Sequence, residues 1–366
     1  MKLRGLTLVL NERCNYRCAY CYKALEPGAP DLSPALARRA LDDLWPFLTR
    51  DFGLTFAGGE PLLSLDTLRA ATDRSEELAR GGGRPKGKRA RYALTTNGSL
   101  IDGPVLDFLA RHRFAVTLSF DGLAQDAQRK AGSFGATRKV LEALRSEPRI
   151  ALGVHSVFTP ASAALLSRSL GLLIGWETPR ISFAFSIREA WDASTLARLR
   201  EEMGRLRRMA LDVHARTGAF PLDLFSDERP KGVFACAAGQ EWLSLSPDGR
   251  LWGCSLFADH FRGRERTAEA RAFCFGRLGS FRREPERAHA RHAVRYARLS
   301  QDNFRTADGP CFLCPEVERC EVCPLAAALA GSPIGTIPRS LCEIQRIKSR
   351  EVARFRAELG HPARRP

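Results

Sequence analysis

Six short apolar, β-rich runs, at residues 6–10, 53–57, 91–96, 114–120, 150–158 and 181–187, are separated by stretches with helical periodicity. The helical patterns cover 33–48, 65–79, 104–112, 134–145 and 161–172. In the first of them Ser33 stands where an N-cap belongs and Pro34 at the first helical position. Leu36, Ala40, Leu41 and Leu44 then share one face. Strands that alternate with helices are joined by crossovers, and crossovers make neighbouring strands parallel. Six units are too few to close an eight-stranded barrel. The chain is therefore expected to be α/β, opening with a partial (β/α)6 TIM-like barrel whose C-terminal strand ends carry the site. A long charged helix over 195–216 closes this part, and 221–230 reads as a boundary.

The second half changes character. Residues 241–252 read as a β-hairpin turning at Ser246-Pro247-Asp248-Gly249, and 282–298 as an Arg- and His-rich surface helix. Cysteines then crowd together from Cys311 to Cys323, short helices are expected around them, and a basic helix ends the chain. The expected domains are 1–225, 226–345 and a basic helix or tail over 346–366. The glycine-rich basic stretch at 81–91 reads as a solvated loop, with a docking patch for an acidic peptide as the alternative.

Composition narrows the chemistry. No apolar run approaches the length of a bilayer span, so no membrane association is expected. Eleven cysteines without an export signal point to metal ligation in a reducing cytoplasm, not to disulfides. The net charge of +16 invites a nucleic-acid reading, but 49 of the 57 basic residues are Arg, a bias a GC-rich genome also produces. Ligating thiolates would reduce the excess, and an acidic peptide suits the same field. A basic zinc- or nucleic-acid-binding module is the reading from a different class.

Cys14, Cys18 and Cys21, spaced Cys-x3-Cys-x2-Cys, follow the first strand. Thiolates are the ligands iron–sulfur clusters favour. Three of them can hold three irons of a 4Fe–4S cluster and leave the fourth open to a small molecule. Zinc would more often show paired Cys-x2-Cys units. With Tyr20 before the last cysteine, this stretch resembles the signature of the radical S-adenosylmethionine (SAM) enzymes. The resemblance implies that the open iron chelates SAM, which is cleaved reductively to a 5′-deoxyadenosyl radical that abstracts a substrate hydrogen. Such chemistry belongs to the cofactors, while the protein orients and shields them.

Further segments fall where a SAM pocket needs them. Gly58-Gly59-Glu60-Pro61 after the second strand resembles the family's GGEP motif, whose glycines allow close backbone approach and whose carbonyls could receive the SAM ammonium. Thr96 and Asn97 end the third strand, and Ser119 and Asp121 the fourth, at pocket positions of the family. Plain turns at Asn97-Gly98 and Asp121-Gly122 are the competing reading. Arg129 and Arg138 are each candidate partners for the SAM carboxylate.

The remaining cysteines resemble a SPASM domain, which carries two auxiliary 4Fe–4S clusters. Carried over by position, Cys311, Cys314, Cys320 and Cys342 hold the outer cluster, and Cys236, Cys254 and Cys323 the inner one. Cys320 and Cys323 are separated by two residues where the family usually has three. Cys274 is either a fourth inner ligand or a buried thiol outside the family's ligand order. The resemblance implies three 4Fe–4S clusters, SAM, a precursor-peptide substrate and a reductant such as flavodoxin or ferredoxin. The leading expectation is a peptide maturase forging a C–C, C–S or similar link. Because the chain opens directly into the first strand, leader recognition is expected to use a separate protein or this chain's own surface. The runner-up is an anaerobic sulfatase-maturing enzyme. Against it stands Ser255, where that group places an acidic residue to accept a proton.

Overall fold

The computed structural model describes residues 1–23, 28–82, 87–226, 237–300, 303–329 and 331–360. Six parallel strands form its frame: β1 (Leu3–Val9), β2 (Leu48–Ala57), β3 (Arg89–Thr96), β4 (Ala115–Ser119), β5 (Ala151–Phe158) and β6 (Ile181–Phe185). They lie side by side in chain order, each pairing with the next. The expected partial barrel is what the chain forms.

Each crossover buries one helical face. In α1 (Pro34–Leu44) Ser33 accepts the Leu36 N–H, and Ala37, Ala40, Leu41 and Leu44 are buried. Burying each leucine contributes about 1.5–3 kcal/mol relative to exposure. α2 (Leu65–Glu77), α3 (Gly103–Arg111), α4 (Ser133–Arg145) and α5 (Leu166–Gly175) follow the same plan. A capping box between Thr159 and Ser162 makes the start of the last crossover a 3-10 turn, Pro160–Leu165, so the α-helix begins later than the periodicity predicted. α6 (Ala193–Thr217) starts on an Asp192 cap and ends at Gly218, whose φ of 69° suits glycine.

The strands alternate between two faces. On β5 Leu152, Val154, Ser156 and Phe158 are buried towards the helices, while Gly153, His155 and Val157 stay partly accessible on the inner face. β1 is buried along nearly its whole length, and both of its edges are paired.

Its second partner is a finding that sequence periodicity did not anticipate. β7 (Trp242–Leu245), from the second half, pairs parallel with β1 in the register Gly5↔Trp242 and Leu6↔Leu243. β8 (Arg250–Trp252) and β9 (Gly276–Arg277) extend the sheet antiparallel, completing the expected hairpin. The Trp242 indole lies over Gly5 and Gly53, where added Cβ atoms would meet the ring at 2.2 and 2.6 Å. Its Nε1–H donates to Thr7 Oγ1 at 2.8 Å.

Beyond the hairpin come α7 (Ser255–Phe261), α8 (Ala268–Phe273), α9 (Pro285–Ala297) and α10 (Arg339–Glu358). α10 carries Cys342 in its first turn and runs through residue 346, where a separate tail was expected to begin. It returns to the barrel, and Arg207 of α6 bonds Glu351 at 2.9 Å and also pairs with Glu358. In the 81–91 stretch Lys88 is buried and donates to the carbonyls of Trp45, Pro46 and Leu48, while 83–86 lie outside the described residues. Among the described residues no helix is long and apolar enough to cross a membrane.

Candidate functional site

The loop that follows β1 carries Cys14, Cys18 and Cys21, and the ends of β2 and β3 hold it from below. Asn11 is fully buried; its Nδ2 donates to the Glu60 carbonyl at 2.9 Å and to Ser64 Oγ at 2.7 Å. The Gly59 N–H donates back to Asn11 Oδ1, and the Glu60 N–H to the Arg13 carbonyl at 2.8 Å. A Cβ on Gly59 would sit 2.1 Å from that carbonyl oxygen. The glycine pair thus lets the end of β2 lie directly against the backbone entering Cys14.

Glu60 ties the next strand in. Its carboxylate accepts Thr96 Oγ1–H and the Asn97 N–H, both at 2.8 Å, and the Leu62 N–H at 3.1 Å. Burial pushes this carboxyl above its usual range, and the three donors oppose that. Asn97 Nδ2 in turn donates to Asn15 Oδ1 at 2.9 Å and lies 3.9 Å from Cys14 Sγ. Gly58, Gly59, Glu60, Thr96 and Asn97 therefore form one polar scaffold around Cys14.

A second scaffold stands at Cys18. The Asp121 carboxylate accepts from Tyr20 Oη at 2.9 Å, Gln128 Nε2 at 2.7 Å, Arg129 Nε and Nη2 at 2.7 and 2.8 Å, and the Val157 N–H at 2.8 Å. Both residues of the Asp121–Arg129 pair are buried, and Arg129 also lies 5.3 Å from the centre of the Tyr20 ring. Burial works against the guanidinium charge, but Asp121 holds the Arg129 pKa above its ordinary value. Burial likewise pushes the Cys18 thiol up to about 11, against the field of Arg129. Asp121 and Arg129 are thus committed to each other, tying β4 and β5 to the cysteine loop.

Ser119 stays partly accessible on the inner face, at the end of β4. Arg138 is not brought to the others. It sits on α4, pairs with Glu142 at 3.0 Å and lies 5.0 Å from the centre of the Trp176 ring, beside a cleft also lined by Leu141 and Arg145. The buried face of α4 is Thr137, Leu141 and Leu144, which leaves position 138 on the outside.

In the tail, Cys311, Cys314, Cys320 and Cys342 stand around one cavity of about 270 Å³. Burial, and then the neighbouring thiols, push Cys342 up to about 12. Four soft donors around a space of this size fit a polynuclear iron–sulfur group. Among the described residues no three His, Cys, Asp or Glu side chains converge on a point for a single metal ion. Cys254 stands at the N-cap position of α7, and burial first, then the fields of Asp259, Cys21, Cys254 and Cys323, push the Tyr22 hydroxyl above its ordinary pKa. The Tyr296 ring lies against Gly239 and Gly253, with its hydroxyl accepting the Gly253 N–H at 2.8 Å. Cys236 lies outside the described residues. Cys274 ends α8 and accepts the Gly276 N–H at 3.4 Å. No disulfide joins the ten described cysteines.

Sequence reasoning passed over Asn11, Gln128 and the ion pair between Lys23 and Asp259. Asn11 stands between the first strand and Cys14, where a buried amide is the natural bridge for unpaired strand-end groups. Gln128 bridges Asp121, seven residues away, and Val157 of the next strand, and the Lys23–Asp259 pair spans 236 residues.

The class follows from strands, cysteine loop and strand-end scaffold together. Residues 8–157 match the family model described as the Radical SAM superfamily, and the chain carries a radical SAM domain. It is 26% identical over 258 residues to the uncharacterized protein MJ0907 of Methanocaldococcus jannaschii, covering 69% of this chain and 85% of that one. It is also 26% identical over 306 residues to a serine-type anaerobic sulfatase-maturating enzyme of Klebsiella aerogenes, covering 74% and 73%. Against the pre-heme d1 synthase of Dinoroseobacter shibae the identity is 34% over 155 residues, 41% of this chain, and the chain spans 35% of that protein's length. Among solved structures, native anSMEcpe with bound AdoMet superposes with a TM-score of 0.73 at 14% identity over 97% of both chains. Streptococcus suis SuiB bound to its precursor peptide SuiA gives 0.60 at 16% identity, over 93% of this chain and 76% of that one. The fold shared with these two structures extends through the cysteine-rich tail.

Proposed function

We propose that this chain is a radical SAM enzyme with three 4Fe–4S clusters that modifies a ribosomally made peptide. The observation that carries the reading is the gathering of Cys311, Cys314, Cys320 and Cys342 around one cavity, in a chain whose residues 8–157 match the Radical SAM superfamily model. Cys14, Cys18 and Cys21 would hold the cluster that binds SAM. Cys254 and Cys323, with Cys236, would hold the inner auxiliary cluster, and the four cavity cysteines the outer one. When bound, these groups supply one-electron chemistry and a carbon-centred radical able to remove a substrate hydrogen. The protein's part is orientation. Glu60 fixes Thr96 and Asn97 beside Cys14, and the Asp121–Arg129 pair fixes Tyr20 beside Cys18. The peptide-bound SuiB neighbour has a precursor peptide as its partner, which suits a peptide substrate here. A flavodoxin- or ferredoxin-type reductant and a separate leader-binding protein are the further partners we would look for.

The test is anaerobic reconstitution with SAM, dithionite and a synthetic copy of any short peptide encoded beside the gene. 5′-Deoxyadenosine and a peptide mass change together support the reading; neither product, from protein carrying its clusters, refutes it. A second reading, sulfatase maturation, is favoured by the Klebsiella aerogenes relative. Formylglycine in a sulfatase-derived peptide would place it first, although Ser255 offers no carboxylate after Cys254.

A further inference from the structure

Two polar residues on the inner face, His155 and Ser182, have no role in the reading above. Ser119 of β4 is in register with His155 of β5, and His155 with Ser182 of β6. Two residues earlier, Thr95, Thr117 and Gly153 form the preceding row. The Ser119–His155–Ser182 row is therefore the one nearer the C-terminal strand ends, on the side of the cysteine loop. All three residues are partly accessible, whereas their strand neighbours Leu118, Val154 and Ile181 are buried.

The hydrogen bonds orient the imidazole. Ser182 Oγ donates to the Val154 carbonyl at 3.2 Å, and it stands 2.8 Å from His155 Nδ1. A hydroxyl has one hydrogen, so with that hydrogen on Val154 it accepts at Nδ1. In the tautomer that satisfies both contacts the proton sits on Nδ1, and Nε2 keeps its lone pair. Burial lowers the His155 pKa, the field of Arg129 adds to this, and Asp121 and Asp223 oppose it. Both acids are themselves paired, Asp121 with Arg129 and Asp223 with Arg180 at 3.0 Å. The ring is therefore held neutral near pH 7.

We propose that His155, oriented by Ser182, is a proton-accepting group in the inner wall of the barrel that takes a hydrogen bond at Nε2 from a hydroxyl or amine of the bound ligand. Two molecules offer such a donor: the nucleoside of SAM and the side chain being modified. Where the donor ionises, its proton passes to Nε2, giving imidazolium and the conjugate base with no electron transferred. The inference rests on the radical SAM reading of this site.

Two measurements on the reconstituted protein separate the sources. The first is S-adenosylhomocysteine affinity by calorimetry, followed downward from pH 7.5 for as long as the protein stays folded. If the nucleoside is the donor, affinity falls about three- to tenfold as the ring protonates, the size of one lost hydrogen bond. His155→Phe shows that loss at every pH, and His155→Gln, which keeps an acceptor, flattens the profile. The second is carbethoxylation of His155 by diethyl pyrocarbonate with S-adenosylhomocysteine saturating, read by peptide mapping. If the donor belongs to the substrate, affinity is unchanged, but His155 reacts with the site occupied, faster as pH rises through its pKa. An insensitive affinity together with an unreactive His155, or one whose reactivity ignores both pH and Ser182→Ala, overturns the proposal. If wild-type protein binds no S-adenosylhomocysteine at any pH, the SAM reading fails instead, and the labelling result still decides whether His155 is an open acceptor.

Discussion

Lys23 and Asp259 meet at 2.6 Å with side chains 12% and 2% exposed, joining the loop of the first three cysteines to the helix that follows Cys254. Asp259 also pairs with Arg262 at 2.7 Å, and Arg262 with Glu12 at 3.0 Å. Four charges thus run in a chain between the two halves. Buried pairs are costly to break from one side, because a desolvated charge is left behind. Asp259→Ala should destabilise by about 3–5 kcal/mol in denaturant unfolding. Arg138→Ala, which breaks an exposed pair, should cost under about 1 kcal/mol. Equal costs would show that the buried chain does not hold the halves together.

The Trp242 indole over Gly53 makes a different kind of demand. A methyl group there meets the ring at 2.6 Å, and neither sheet backbone nor a packed indole can give way cheaply. Gly53→Ala should cost about 1–3 kcal/mol by overpacking. Gly135 in α4 has open space around its Cβ position, and Gly135→Ala should stabilise by about 0.5–1 kcal/mol through helix propensity. Thermal unfolding of the two variants should therefore shift in opposite directions.

These contrasts show what the sequence could and could not disclose. The barrel was legible because each strand and each crossover helix carries its own periodicity. Sheet order then follows from crossover geometry, with no long-range information needed. β7 was not legible as a neighbour of β1. Its four residues read as half of a hairpin, and only Gly5 and Gly53, far away in sequence, make a place for Trp242. The glycine-rich turn before Glu60 was found by its motif, but not the use of Glu60 as a buried acceptor for Thr96 and Asn97. Arg129 was picked as a carboxylate partner, and its carboxylate here is Asp121, eight residues away. Arg138 was picked on the same chemistry, and helix phase puts it outside. Among so many arginines, side-chain chemistry alone does not choose.

The cavity cysteines permit a count. Fully reconstituted protein should contain about twelve irons, and replacing Cys311, Cys314, Cys320 and Cys342 by Ala should remove about four. Colorimetric iron analysis with electron paramagnetic resonance checks both numbers. Loss of zinc in place of iron would mean that the tail holds a different metal.

Cys274 separates two architectures for the inner group. Its sulfur accepts one backbone N–H, from Gly276. Burial raises its pKa, that bond opposes the rise, and the charged groups acting on it are Arg250, Glu265 and Arg277. Cys274 is expected to be a small hydrophobe and not a fourth thiolate. Cys274→Ala should then leave the iron content and the spectrum of every cluster unchanged, and cost about 1 kcal/mol of packing. A ligand would behave otherwise, since the number and charge of thiolates set the reduction potential. A shifted potential or a lost signal in the Cys274→Ala protein, with the iron bound by the four cavity cysteines intact, would make Cys274 the fourth inner ligand and close that group to direct coordination by substrate.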